Sequence, residues 1–304
     1  MILLAGGTGR LGSVLTARLA ARGQPVRVLT RDPARAAHLT GAGVEVVTGD
    51  VRDRASLPAA VRGAEVVVSA VHGFAGPGGV SPATVDYQGN VNLIDAALAA
   101  GAELVLMSGV GAAADSPMEL FRMKHAAEQH LLASGGSWTI VRATAFLELW
   151  IDLLARTAAR SGRPVVFGRG ENPVNFVSVT DVAAMVEQAI ADPGTRGRIL
   201  EIGGPADLTF NQLAAAIQSA AGRISAPRHV PPAVLRLMAG PLGRLAPGMA
   251  ADICVISPAG IAAHASYGDP RQKATGVDLV IVNGVIAWRD GQPVTTQFPG
   301  RLVS

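Results

Sequence analysis

The segment Gly6-Gly7-Thr8-Gly9-Arg10-Leu11-Gly12 follows a short apolar run, residues 2–5, and opens an alanine- and leucine-rich stretch of helical length, residues 12–21. Glycines at this spacing do three separate jobs. One permits a tight strand-to-helix turn, one lets the backbone approach a pyrophosphate, and one lets helix and strand pack closely. The free N–H groups and positive dipole end of the helix then meet the phosphates. Glycines also make ordinary turns, so the pattern alone is weak; its place between a strand and a helix opening a βαβ unit is what predicts a dinucleotide site. Gly6, Thr8, Gly9, Arg10, Leu11 and Gly12 are its expected residues.

The second apolar run ends in Thr30-Arg31-Asp32. An acid closing this strand would accept from the ribose 2′-OH of NAD(H), whereas Arg31 predicts a 2′-phosphate and hence NADP(H), with Arg10 assisting from the turn. The competing reading has Arg31 solvated and Asp32 facing the ribose; NADP(H) is the preferred expectation and NAD(H) the alternative. Asp50, with Val51, ends the third run and is placed to accept from the adenine amine. Ser69 and Ala70 end the fourth and are expected to border the adenine ribose. Both placements use the rule that ligands lie at the carboxyl ends of parallel strands.

The elements that must hold these residues are legible as a rhythm. Candidate strands fall at 2–5, 26–29, 44–47, 65–71, 103–107 and 138–141, and helical stretches between them include 12–21, 91–100 and 118–133. The strand runs are nearly continuously apolar, as parallel strands buried on both faces must be. Gly23, Gly63, Gly101 and Gly135 each follow a helical stretch, where a left-handed residue closes the last turn. Farther on, 146–159, 181–191 and 210–221 read as helices and 165–167, 175–179 and 198–202 as extended segments. The expected fold class is α/β, a Rossmann-type doubly wound parallel sheet with a small C-terminal substrate part.

Composition bounds the alternatives. The 304 residues are 49% hydrophobic and 16% charged with a net charge of +3, and no block of Lys or Arg forms a nucleic-acid groove. No apolar stretch approaches the roughly 20 residues of a membrane helix, and no basic-then-apolar leader opens the chain, which reads as cytoplasmic. The single cysteine, Cys254, allows neither an internal disulfide nor a cysteine cage, so no metal is expected.

The motifs GGTGRLG, TRDPAR, TGDVRD and LVLMSGVGA resemble the atypical short-chain dehydrogenase/reductases, as do FRMKHAAEQHLLASGGSWTIVRATAF, NFVSVTDVA and LEIGGP; the branch they are most similar to is the NmrA-like, NAD(P)H-binding one. The resemblance covers residues 1–240. It implies that Ser108 and Lys124 occupy the family's serine and lysine places, with Lys124 also holding the nicotinamide ribose. Catalytic members set a tyrosine four positions before that lysine, the lysine lowering the phenol pKa for proton donation. Here the position holds Leu120, flanked by Phe121. Quinone reduction, which takes its proton from water, tolerates that loss, and so does cofactor sensing without turnover.

Beyond Gly240-Pro-Leu-Gly the rhythm changes. Residues 252–256, 279–282 and 285–288 read as strands, with Asn283-Gly284 as a hairpin turn. The segment from 243 to 304, with APGMAADICVI, YGDPRQ, GVDLVIVNG and FPGRL, resembles the C-terminal end of D-aminoacylase-type amidohydrolases, which points to a fusion of two family ends. His264 stands without a partner at ligand spacing. The expected domains are a cofactor-binding part, 1–240, and a β-hairpin-rich tail, 241–304.

The expected activity is an NADPH-dependent oxidoreductase acting on a small molecule such as a quinone. The alternatives are an NADP(H)-sensing regulator and, from the tail alone, an N-acyl-D-amino-acid deacylase. The substrate is expected near residues 72–83 and 143–176, where His72 and Glu148 are the polar candidates.

Overall fold

The computed structural model describes residues 1–231 apart from 40, 42 and 75–77, and beyond them four strand segments. The chain divides into two compact units: Met1–Pro164 with Glu171–Pro227, and Val165–Gly170 with Arg228–Ser304.

In chain order the strands of the first 227 residues are β1 Ile2–Ala5, β2 Val26–Thr30, β3 Val44–Thr48, β4 Val66–Ser69, β5 Glu103–Gly109, β6 Trp138–Ala143, β7 Ala145–Phe146, β8 Val165–Phe167, β9 Pro173–Val177, β10 Arg198–Ile202 and β11 Asp207–Thr209. The helices are α1 Arg10–Ala21, α2 Leu57–Val61, α3 Gln88–Ala99, α4 Glu119–Ala133, α5 Leu147–Ser161, α6 Val179–Ala191 and α7 Phe210–Ala220.

Seven strands form one sheet in the order β10-β6-β5-β4-β1-β2-β3, every neighbour parallel. The order reverses at β1, which makes the β1/β4 junction the switch point where such sheets bind ligands. Alternation along each strand explains the continuous apolar runs. Ile2 and Leu4 of β1, Val66 and Val68 of β4, and Val105 and Met107 of β5 join Leu11, Leu15 and Leu19 of α1 and Val182, Ala183 and Val186 of α6 in one core. Leu3, Val67, Leu104 and Leu106 point the other way, onto Leu57 of α2, Leu93, Ile94 and Ala97 of α3 and Leu131 of α4. Each face is thus closed by helices, the doubly wound architecture expected. Gly23, Gly63, Gly101 and Gly135 all have φ between 70° and 74° and close the preceding helical turns as expected.

The remaining strands of this unit form a small sheet, β11-β9-β7, with β7 parallel and β11 antiparallel to β9. Thr209 and Gln212 cap α7 reciprocally, each side chain taking the other's backbone N–H. The strand expected over 65–71 is confined to Val66–Ser69, and α2, β7 and β11 form where no such element was expected. The segment 175–179 is strand only to Val177, because Ser178 there caps α6 through Thr180 N–H. The loop before α3 winds into a π-helical turn, Pro82–Tyr87.

In the second unit β8 pairs in parallel with β12, Arg228–Val230. The strands β13 Ile253–Ile256, β14 Val277–Val282, β15 Val285–Arg289 and β16 Gln292–Pro293 form an antiparallel sheet in that order. The expected hairpin is present as the β14/β15 pair, Val282 opposite Val285. Its turn, Asn283-Gly284, lies outside the described residues, as does His264. Among the described residues no helix is long and apolar enough to cross a membrane.

Candidate dinucleotide site

Every residue of β1 is buried, so the chain leaves the sheet at a fixed point and must turn at once. Gly6 does so with φ +87°, and a Cβ there would meet the Ala70 carbonyl oxygen at 2.6 Å. A Cβ on Gly12 would collide with the Gly6 carbonyl oxygen and the Gly7 Cα. The Gly9 N–H donates to the Gly6 carbonyl at 2.9 Å, and Ser13 N–H to Gly9 at 2.8 Å. Gly9 caps α1 without a side chain, and the first turn holds no acid. Its N–H groups and positive dipole therefore remain for an outside anion. Leu11 is buried in the core.

This turn borders a cleft of about 640 Å³ that also includes Thr30, Arg31, Asp32, Arg35, Asp50, Val51, Arg52, Ala70 and His72. At the β2 end, Asp32 accepts the Ala34 N–H at 3.0 Å, which commits an oxygen of its carboxylate to capping the turn at Pro33–Leu39. Arg31 and Arg35 are exposed at the cleft, and among the described residues neither has an ion-pair partner. Arg10 does not reach the cleft; its guanidinium lies 2.6 Å from Asp152 of α5.

At the β3 end, Asp50 and Arg52 form a two-point pair. Arg52 Nε donates to Oδ2 at 3.0 Å and Nη2 donates to the same oxygen at 2.7 Å, while the Arg52 N–H reaches Oδ1 at 2.9 Å. Burial favours the neutral acid, but these hydrogen bonds and the charges of Arg52 and Arg31 outweigh it and hold the Asp50 carboxyl below its usual range. Arg52 Nη1 also donates to the Gly78 carbonyl at 2.7 Å.

At the β4 end, Ala70 lines the cleft. Ser69 is buried beneath it and donates to Asn90. Farther along the same edge, the Lys124 ammonium lies 3.0 Å from Asp86 Oδ1, with side-chain exposures of 12% and 0%. It also donates to the Met107 carbonyl at 3.4 Å. Oδ1 accepts no aligned hydrogen bond, so the contact is an ion pair. The other oxygen, Oδ2, accepts the Gly73 N–H at 2.7 Å. Ser108, at the end of β5, is buried, and its hydroxyl has no hydrogen-bond partner among the described residues. Glu148 accepts from the Ser178 hydroxyl at 2.8 Å and from the Val179 N–H at 3.0 Å, closing the start of α6.

The cradle thus fits a dinucleotide. Two glycines leave space that side chains would fill, a helix offers uncapped N–H groups, and Arg31 and Arg35 stand beyond the turn with no ion-pair partner among the described residues. Three members of this edge escaped the sequence reading. Arg35 falls four residues after Arg31 and Arg52 two after Asp50, spacings that carry a usable signal. Asp86 has none, because only the fold brings it to Lys124.

Fold and site together define a Rossmann-type dinucleotide-binding protein. The chain belongs to the NmrA-like family, whose sequence model matches residues 1–251. It is 35% identical over 225 residues to NAD(P)H azoreductase of Xenophilus azovorans, covering 73% of this chain and 74% of that protein. To quinone oxidoreductase 2 of Escherichia coli (strain K12) it is 27% identical over 228 residues, 73% of this chain and 75% of the relative. The crystal structure of an NADPH-dependent quinone oxidoreductase from Escherichia coli complexed with NADPH superposes with a TM-score of 0.65 at 26% identity. That match covers 80% of this chain and 83% of the other.

Proposed function

We propose that this protein is an NADP(H)-dependent oxidoreductase that delivers hydride to a small planar electrophile such as a quinone. One observation carries the cofactor choice. Asp32 commits one carboxylate oxygen to its own turn, whereas Arg31 and Arg35 both stand open at the same end of the cleft. A 2′-phosphate satisfies two free guanidinium groups; a bare ribose does not. The family and its reductase relatives support the same reading. Gly6, Thr8, Gly9, Leu11 and Gly12 shape the pyrophosphate turn, and Asp50 and Val51 the adenine side. Ala70 borders the adenine ribose where β4 ends beside the turn, over the buried Ser69. Ser108 and Lys124 form the nicotinamide side.

The choice of acceptor rests on the family resemblance, by which Leu120 occupies the place of the tyrosine that would protonate an alkoxide. A quinone leaves a far less basic oxyanion and draws its proton from water. Stopped-flow decay of NADPH absorbance against a panel of quinones tests this reading; tight NADPH binding with no decay for any acceptor would refute it. That outcome is the one expected of an NADP(H)-sensing regulator, which the commitment of Lys124 to Asp86 favours as a second reading. The division into a cofactor-binding part, 1–240, and an amidohydrolase-like tail, 241–304, and a cytoplasmic location, belong to this proposal.

A further inference from the structure

The carboxyl ends of the strands lie in sheet order, which sorts the cleft. Asp50 follows β3, Arg31 follows β2, Gly6 follows β1, His72 lies beyond β4, and Ser108 ends β5. Arg31 and His72 therefore stand on opposite sides of the pyrophosphate turn. If the arginine end takes the 2′-phosphate, the His72 side takes the nicotinamide and the acceptor.

Few side chains there can donate to a substrate oxygen. Among the donors that line the cleft, Thr8 is in the pyrophosphate turn, Thr30 is spent on the Asp32 carbonyl at 3.0 Å, and Arg31, Arg35 and Arg52 are at the far end. Outside the lining, Lys124 is paired with Asp86, and Ser108 is buried. His72 remains. It is exposed to the cleft, and no hydrogen bond engages its ring among the described residues.

Its backbone is anchored next door. The Gly73 N–H is held at 2.7 Å by Asp86 Oδ2, whose other oxygen holds Lys124 at 3.0 Å. Asp86 sits on the π-helical turn Pro82–Tyr87, an irregularity frequent at functional sites. The same buried carboxylate therefore fixes both the loop bearing His72 and the lysine beside it.

We propose that His72 is a catalytic residue of the reductase proposed above: its imidazole donates a hydrogen bond to the acceptor oxygen on which negative charge builds. This inference rests on that functional reading. Although part of the ring is open to the cleft, burial of the rest lowers the His72 pKa, against the opposing charge of Asp86, and Lys124 lowers it further. At neutral pH the ring is thus a neutral N–H donor that polarises an oxygen without surrendering its proton. The balance is complete. NADPH gives up a hydride and becomes NADP⁺, the quinone gains the two electrons and one hydrogen, and the hydroquinone oxyanion takes its second proton from water.

Two measurements on the full chain test it. In the first, quinone reduction by His72→Leu falls about 100-fold in kcat with the NADPH Kd unchanged, the loss typical of one oxyanion donor. His72→Gln, which keeps an N–H, recovers most of that loss. The second needs no cofactor: 4-nitrophenolate stands in for the reduced acceptor and nitrobenzene for a neutral ring. His72→Leu binds the phenolate about tenfold more weakly than the natural protein and nitrobenzene equally well. Equal rates and equal phenolate affinity in natural protein and His72→Leu would overturn the role of His72 alone. A natural protein that binds NADPH but reduces no quinone overturns the proposed function, and this inference with it.

Discussion

Lys124 and Asp86 face each other at 3.0 Å, from α4 and from the π-helical turn before α3, and the carboxylate has no exposed surface. Removing one partner of a buried ion pair strands the other charge, which costs about 3–5 kcal/mol. Lys124→Met is therefore expected to destabilise more than Asp86→Asn, because it leaves the fully buried charge uncompensated. The double variant should lose less than the sum of the two, and urea unfolding of all four proteins checks the coupling. Strict additivity would show that the pair stores no interaction energy.

Arg31→Ala should weaken NADPH binding by about 1.5–3 kcal/mol, the contribution of hydrogen bonds to a charged group, and leave NADH binding unchanged. Arg35→Ala should act the same way. Isothermal titration with both cofactors separates a 2′-phosphate contact from a general loss, since a general loss lowers both affinities.

Gly12→Ala forces a methyl into the Gly6 carbonyl. Overpacking of this kind costs about 1–3 kcal/mol. Because the turn must shift to relieve it, NADPH affinity should fall more than the melting temperature of the apo chain implies. Gly9→Ala meets only the Gly6 carbonyl oxygen at 3.2 Å and should be milder on both measures.

The pKa shifts set two pH windows. The Asp50 carboxyl titrates lower in the folded chain, so its contribution to stability is complete above the unfolded carboxyl value, about pH 4. It is lost as pH falls through the lower folded value. The stability gap between the natural chain and Asp50→Asn should be constant through neutrality and close in acid. His72 is likewise depressed. The folded chain resists protonating it, and stability should decline as pH falls below about 6.5. Circular-dichroism melts across this range should show the decline in the natural chain and its loss in His72→Gln.

Part of the molecule could be read directly from residue order. Alternation of buried faces makes β1, β4 and β5 continuously apolar, so the parallel sheet was legible, and the glycine spacing from Gly6 to Gly12 marked the turn on the first helix. Both signals are local: a strand buried on two faces and a helix start leave their mark within a dozen residues. The hairpin of β14 and β15 was legible for the same reason, through the turn signal between two apolar runs.

Other features depend on residues far apart in the chain. Nothing around Asp86 announces a partner for Lys124, 38 positions later by number. The pair exists because the sheet places α4 and the π-helical turn side by side. The same holds for Arg10, which the motif puts at the phosphates but which α5 draws to Asp152. Ser69, at the right strand end, turns inward to Asn90. Glycines and apolar runs reveal themselves because backbone sterics and burial act on neighbours in sequence. The partners of charged and polar side chains were decided only by the tertiary structure, because hydrogen bonds and ion pairs form between whichever groups the folded sheet and helices bring within about 3 Å.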